Sequence, residues 1–240
     1  MDYQNLTVNN KNFLKRFSHI NRFIKASKLL NEFKFNSEMS LIDYGSGNGF
    51  FLKFLLDENF KLNLNAYEPV KKQLNEMDEL FKTYNIRNVQ IYDDIKNINN
   101  KFDIITCFET LEHFNAENQK KMLLQIKSLL KKNGVIILSV PIEVYISGFF
   151  KIILRIIMRQ KHDGTKISNI FKTLFGLKIN RNKISDKEYI ESHMGFYYFD
   201  LIKIIRDSNF EIVEKKFSPF FFFGPIFNSQ IFLKLKFKDW

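Results

Sequence analysis

The run Asp43-Tyr44-Gly45-Ser46-Gly47-Asn48-Gly49 sets three glycines at alternate positions behind an acidic residue, between a short apolar segment and a run that reads as helix. A strand that passes through such a turn into a helix leaves bare backbone N–H groups and a helix N-terminus beside a ligand at the carboxyl end of a sheet. A dinucleotide fingerprint needs G-x-G-x-x-G, but Phe50 holds the sixth position and Gly49 comes one place early. The spacing is Asp-x-Gly-x-Gly-x-Gly. Glu68 closes the next apolar segment, 23 positions after Gly45, near the distance at which an acidic side chain meets ribose hydroxyls. Its carboxylate can accept from both hydroxyls of one sugar.

Further along, Glu109, Glu112 and His113 form E-x-x-E-H. On a helical turn, residues three and four apart share a face, so the three side chains can converge on a divalent cation. The alternative, which we favour, is that Glu112 and His113 are a structural pair holding the loop after a strand. His193, in "ESHMGFYYFDL", precedes a predicted helix and titrates near neutrality. It is a candidate general base, with helix capping or packing as the competing role. Cys107, the single cysteine, lies inside an apolar strand and reads as core, leaving no intramolecular disulfide and fitting a reducing compartment.

These residues need elements to position them. Strands are expected at Leu41–Tyr44, Leu62–Tyr67, Val89–Tyr92, Phe102–Cys107 and Val135–Val140, each short, apolar and often β-branched. Helices are expected at Phe50–Asn59, Val70–Tyr84 and Ala116–Lys132, the last stopped by Asn133-Gly134. Apolar positions at near-helical period from 10 to 36 predict one or two N-terminal helices. Such alternation calls for a mostly parallel sheet covered on both faces. After a helix at Tyr197–Ser208, strands at Phe210–Lys216 and Gln230–Phe237 end the chain as a hairpin-like pair, which would make one edge strand antiparallel. No Pro/Gly/Ser-rich linker divides the 240 residues, so a single domain with an insertion at about 142–192 is the economical reading. No apolar run is long enough to cross a bilayer, and the polar start predicts a cytoplasmic protein.

With the motifs in view, "DYGSGNG" resembles the first motif of class I S-adenosylmethionine-dependent methyltransferases. "LNLNAYE", "IYDDIKNI", "FDIITCFETLEHF" and "NGVIILSVP" resemble the motifs that follow it in the same order. The resemblance implies a Rossmann-like α/β fold: a doubly wound seven-stranded sheet with its last strand antiparallel, plus a helical insertion after the fifth strand. It implies S-adenosylmethionine as cofactor. Gly45, Ser46, Gly47 and Gly49 would approach its methionine moiety, Asp43 would order the ammonium region through the loop, and Glu68 would hold the ribose. Asp94, with Asp93 as the competing choice, would meet the adenine amine, and Phe108 completes the implied cofactor set. His193 and His113 are the implied catalytic candidates, His193 standing where similar enzymes face the acceptor. The E-x-x-E-H spacing is similar to that of ubiquinone-type O-methyltransferases and of small-RNA 2′-O-methyltransferases, which implies a divalent metal on Glu109, Glu112 and His113 that we do not favour.

The expected activity is O-methylation of a small-molecule, glycan or lipid-linked acceptor. The rivals are a metal-dependent RNA 2′-O-methyltransferase and a catalytically silent relative that binds a partner or membrane. The net charge of +11 concentrates in Lys151–Lys187, where ten Lys/Arg meet two Asp. Lys151, Arg155 and Arg159 form a basic stripe on an otherwise apolar helix from Phe149 to Met158. Such a helix is buried, dimerised or laid in a membrane interface. Residues 148–160 are therefore a candidate contact with the inner face of the cytoplasmic membrane, the alternative being that the insertion is an ordinary substrate lid packed on the domain with its Lys/Arg exposed. Nucleic acid is a weaker candidate, because the tail's four consecutive phenylalanines are too apolar to alternate with basic residues on a solvated face.

Overall fold

The computed structural model describes residues 22–30, 38–157, 167–179, 190, 193, 195–220 and 222–238. Residues 22–30 form helix α1. Then come β1 (Ser40–Tyr44), α2 (Phe50–Asp57), β2 (Asn63–Tyr67), α3 (Lys71–Thr83), β3 (Val89–Tyr92), β4 (Phe102–Phe108), α4 (Ala116–Leu129) and β5 (Leu130–Pro141). The chain continues through α5 (Tyr145–Ile157), α6 (Ile167–Leu174), α7 (Tyr198–Asp207), β6 (Phe210–Ser218), the short α8 (Gly224–Phe227) and β7 (Gln230–Phe237). The strands make one seven-stranded sheet in the order β3-β2-β1-β4-β5-β7-β6, with the last strand antiparallel. This is the doubly wound Rossmann-like arrangement that the motifs implied.

The central strands show why the sheet is parallel and covered. Leu41 and Ile42 point to opposite faces of β1, yet both are fully buried, as are Ile104 and Ile105 of β4. A strand dry on both sides is a near-continuous apolar run, which needs helices above and below it. β1 pairs in parallel with β2 on one side and β4 on the other. Helix α2 buries Phe51, Leu52 and Leu55, and α3 buries Met77, Leu80 and Phe81, each set at helical spacing. Phe23 of α1 lies 5.6 to 5.8 Å, ring to ring, from Phe50, Phe51 and Phe54 of α2.

The expected helix to Lys132 is corrected at its end: Leu130 already belongs to β5. Asn133 takes φ 66°, and a side chain at Gly134 would strike the Leu130 side chain at 2.8 Å. The Asn-Gly pair therefore makes an irregular turn inside the start of the strand rather than a helix stop. Of the expected N-terminal helices at 10–36, all but 22–30 lies outside the described residues, as do Met158 and Arg159 and the side chain of Arg155.

By density of contact the chain divides into two compact units. One contains Met1–Phe108, Gln125–Leu138 and Lys234–Trp240, and the other contains Glu109–Leu124 and Ser139–Leu233. The glycine turn belongs to the first unit, and Glu109, Glu112, His113 and His193 belong to the second.

Candidate functional site

In the first unit the loop between β1 and α2 is wound from left-handed residues, with φ 77° at Gly45, 56° at Gly47 and 76° at Gly49. Only glycine takes these angles without strain. Gly45 and Ser46 both donate their N–H to the Tyr67 carbonyl, at 2.9 and 3.1 Å, which ties the turn to the end of β2. The buried Ser46 hydroxyl donates to the same carbonyl at 3.4 Å. The three glycines are not equivalent. A Cβ on Gly47 would meet only the Gln73 Oε1, at 3.9 Å, so main chain here adjoins open space. A Cβ on Gly49 would lie 2.7 Å from Met77 Cγ and 2.9 Å from the Phe81 ring, so Gly49 lets α2 and α3 close on each other. Gly49→Ala combines backbone strain with overpacking and is expected to destabilise the fold by about 2–4 kcal/mol. A urea unfolding curve with an unchanged midpoint would contradict that packing role.

Two buried acids adjoin this loop. Glu68 is 5% exposed, and its two oxygens accept from the N–H groups of Gly47 at 2.8 Å and Val70 at 2.9 Å. Burial raises its pKa above the ordinary carboxylate value, and the two backbone bonds oppose the rise. A carboxylate offers about four lone-pair directions, so after these two bonds Glu68 can still accept from a pair of hydroxyls. Asp43 ends up opposite Thr106 across the β1–β4 pairing, and the Thr106 hydroxyl donates to Asp43 Oδ1 at 2.6 Å. Burial pushes the Asp43 pKa up to about 7; the Thr106 bond and Arg22 counter it, and the Glu68 charge adds to it. Burial destabilises both anions, so a ligand that brings positive charge beside them is favoured, and Glu68 keeps acceptor capacity for vicinal hydroxyls. The residues present therefore fit a sulfonium nucleoside.

Asp94 is exposed beyond β3, and its Oδ1 accepts from the Lys96 N–H at 2.9 Å, capping a 3₁₀ turn at Ile95–Asn97. Asp93 beside it is exposed as well. Phe108, the last residue of β4, is half-buried and meets the Phe51 ring edge-on at 4.8 Å.

In the second unit, Leu111–His113 forms a 3₁₀ turn. Glu109, before it, takes φ 50°, donates its N–H to the Ser139 carbonyl and accepts from Gln230 Nε2 at 2.6 Å. The helical spacing rule does not reach back to Glu109, because the backbone there is not helical. The side chains that converge are Glu112, His113 and His193, which offer ligand atoms all within 4.8 Å of one another. Glu112 is fully buried, with Oε1 3.5 Å from His193 Nδ1. His113 Nδ1 lies 2.8 Å from the Ile190 carbonyl, which assigns the proton to Nδ1 and leaves Nε2 as the acceptor. The two imidazoles stand 4.8 Å apart, centre to centre. Gln119 pins the turn by donating to the Leu111 and Phe114 carbonyls. A carboxylate against an imidazole fixes its tautomer, and the same three side chains are a donor set for a divalent cation.

Thr106, Gln119 and Gln230 were missed in the sequence. Thr106 had a signal, since a polar residue in the apolar run "FDIITCF" on the strand beside Asp43 needs a polar partner. Gln230 is 121 residues from Glu109 and had none.

A family model described as a methyltransferase domain matches residues 17–215. The chain belongs to that family, and its fold is the class I S-adenosylmethionine-dependent methyltransferase fold. A methyltransferase from Clostridium acetobutylicum ATCC 824, described as S-adenosylmethionine-dependent, is 17% identical, with TM-score 0.59, covering 98% of this chain and 96% of its own. The magnesium protoporphyrin IX methyltransferase of Synechocystis PCC 6803 with bound SAH is 15% identical, with TM-score 0.58 and coverage of 93% and 87%. A glycopeptide N-methyltransferase is 8% identical, with TM-score 0.60 and coverage of 90% of each chain. No curated protein matches the sequence.

Proposed function

We propose that this chain binds S-adenosylmethionine over the Gly45–Gly49 loop and methylates an acceptor oxygen. The observation that carries the reading is the Glu68 carboxylate, buried at the end of β2 and bonded to the Gly47 and Val70 N–H groups, in a chain of the methyltransferase family. When bound, the cofactor supplies a methyl group on a positively charged sulfur. Glu68 accepts from the ribose hydroxyls, Gly47 lets the main chain approach the methionine moiety, and Asp43 carries the compensating negative charge below the loop. Asp94 holds the adenine amine, with Phe108 completing the cofactor set. Transfer asks mainly for positioning, plus a base where the nucleophile carries a proton.

That base is His193 in this reading. Glu112, facing Nδ1, keeps the proton on that nitrogen, so that Nε2 takes the proton leaving the acceptor hydroxyl. His193→Ala is expected to lower turnover about a hundredfold while cofactor affinity stays unchanged. Near-wild-type turnover in a methyl-transfer assay would remove His193 from the mechanism. The acceptor is a small molecule, a glycan or a lipid-linked compound, and fold neighbours named for a porphyrin and a glycopeptide support an acceptor of that size. No helix among the described residues is long and apolar enough to cross a membrane, so contact with the inner face of the cytoplasmic membrane, through residues 148–160, is peripheral in this reading.

The convergence of Glu112, His113 and His193 favours one second reading, a cation-dependent transfer to an RNA 2′-hydroxyl. EDTA and RNase separate the two: activity that survives both belongs to the first.

A further inference from the structure

The second unit builds an aromatic surface that the chemistry of methyl transfer does not use. Between β6 and β7 the chain runs Ser218-Pro219-Phe220-Phe221-Phe222-Phe223-Gly224-Pro225-Ile226-Phe227-Asn228-Ser229, without one charged residue. Its scaffold is polar and internal. Asn228 is fully buried, accepts from the Phe220 N–H at 2.7 Å, and donates to the Phe222 and Gly224 carbonyls at 3.1 and 2.7 Å. Around this stapled centre the rings point outward: Phe222 is 47% exposed, Phe223 59% and Phe227 46%. Phe223 is also held at φ 69°, a conformation that a bulky side chain rarely adopts. A fold that spends a buried amide and a strained backbone to keep phenylalanines in water needs an apolar partner for them.

Helix α5 packs against both α8 and α6, so the aromatic loop and the two helices are consecutive neighbours. A side chain at Gly148 of α5 would strike Thr173 of α6 at 2.7 Å, so these helices approach closely. They add Phe150 and Phe171 to the exposed apolar residues, and Phe175, just past the end of α6, is 71% exposed. Neither helix carries an acidic residue. Lys151 is spent within the fold, its ammonium bonded to Glu143 at 2.7 Å and to the Ile142 carbonyl at 3.0 Å. Lys172 remains exposed beside Phe171, and the segment from 151 to 187 keeps a large positive excess.

We infer that the Asn228-stapled loop, with α5 and α6, is a docking face for an anionic lipid bilayer. Uncharged aromatics beside acid-free helices that expose Lys172 match the acyl-headgroup boundary of such a surface, where rings enter and the ammonium meets headgroup charge. A second copy of the chain is a poor occupant of the same face, since α5, α6 and the loop offer no acidic residue to meet Lys172. The inference extends the peripheral contact proposed for residues 148–160 and moves its centre to the loop at 220–227. It does not depend on the cofactor assignment.

Flotation of the full chain with phosphatidylcholine vesicles, with and without phosphatidylglycerol, tests it at low salt. The wild type should float only with the anionic vesicles. The double variant Phe222→Ser, Phe223→Asn, in which Asn tolerates the left-handed backbone, should partition about tenfold less. Lys172→Glu, which leaves the aromatic loop intact, should weaken binding and reduce its salt dependence. Unchanged S-adenosylhomocysteine affinity in each variant shows that the fold is kept, and if the wild type binds no S-adenosylhomocysteine, a thermal melt serves and only the cofactor reading fails. Failure of the wild type to float, equal flotation of wild type and double variant, or a gel-filtration dimer that the double variant dissociates would overturn the inference.

Discussion

Glu68→Ala is expected to weaken S-adenosylmethionine binding about a thousandfold. Two hydroxyl bonds to an ionised acceptor contribute about 1.5–3 kcal/mol each, and both disappear with the carboxylate. The cost to the free protein is separate: the N–H groups of Gly47 and Val70 lose their acceptor, which loosens the glycine turn before any ligand arrives. Glu68→Gln tells the two effects apart. It retains one carbonyl oxygen for a backbone N–H and loses the charge, so it should keep more of the stability than of the affinity. Calorimetric titration of both variants reads the loss. An alanine variant that binds within tenfold of wild type would show that Glu68 serves the loop alone. Asp94, exposed and bonded to its own turn, should matter less, with Asp94→Ala costing about tenfold.

Asp43 should make both stability and cofactor affinity depend on pH, in opposite directions. Its pKa is held near 7 in the fold against an ordinary value of 3.8, chiefly by burial. Between those values the folded chain keeps a proton that the unfolded chain has released, so stability falls as pH rises through the window. Roughly 3 pH units at about 1.4 kcal/mol each put the loss on the order of 4 kcal/mol once Asp43 is ionised. Glu68 is raised too, and its contribution runs the same way. Asp43→Asn keeps an oxygen for the Thr106 hydroxyl and carries no charge, so its stability should be flatter from about pH 4.5 to about pH 8. A positively charged ligand above the loop favours the ionised acid, so wild-type affinity should tighten as pH rises through about 7, and that rise should vanish in the Asn variant. Urea midpoints and calorimetric titrations across this range check both halves. Parallel stability profiles for wild type and variant would show that Asp43 does not carry the effect.

What the sequence disclosed and what it hid divide along range of interaction. Strand, glycine turn and helix are local, so the β1–α2 junction was legible from "DYGSGNG", and the family and its seven-stranded sheet from the resemblance that this run and the motifs after it carry; the order of the strands was not read. The end of α4 was not, because an Asn-Gly pair marks a helix stop and an irregular strand start alike, and packing against Leu130 decides between them. Gly49 was legible as a glycine position but not as a helix–helix contact, since Met77 and Phe81 lie a full helix away. The E-x-x-E-H run illustrates the same limit. Its spacing proposed Glu109, Glu112 and His113 as one group, but the positive φ at Glu109 sends that carboxylate to Gln230, and His193 arrives beside Glu112 from 81 residues downstream. Lys151 read as part of a basic stripe with Arg155 and Arg159, and a buried Glu143 eight residues earlier draws it inward. In each case the deciding partner lies outside the window in which residue spacing carries information.

A crystal structure of the chain with S-adenosylhomocysteine tests the central claim most directly. The ribose hydroxyls should lie within hydrogen-bonding distance of the Glu68 carboxylate, with the amino-acid end of the ligand against the main chain at Gly45–Gly47. A ligand bound elsewhere, or a turn that stays closed to it at saturating concentration, would contradict the account.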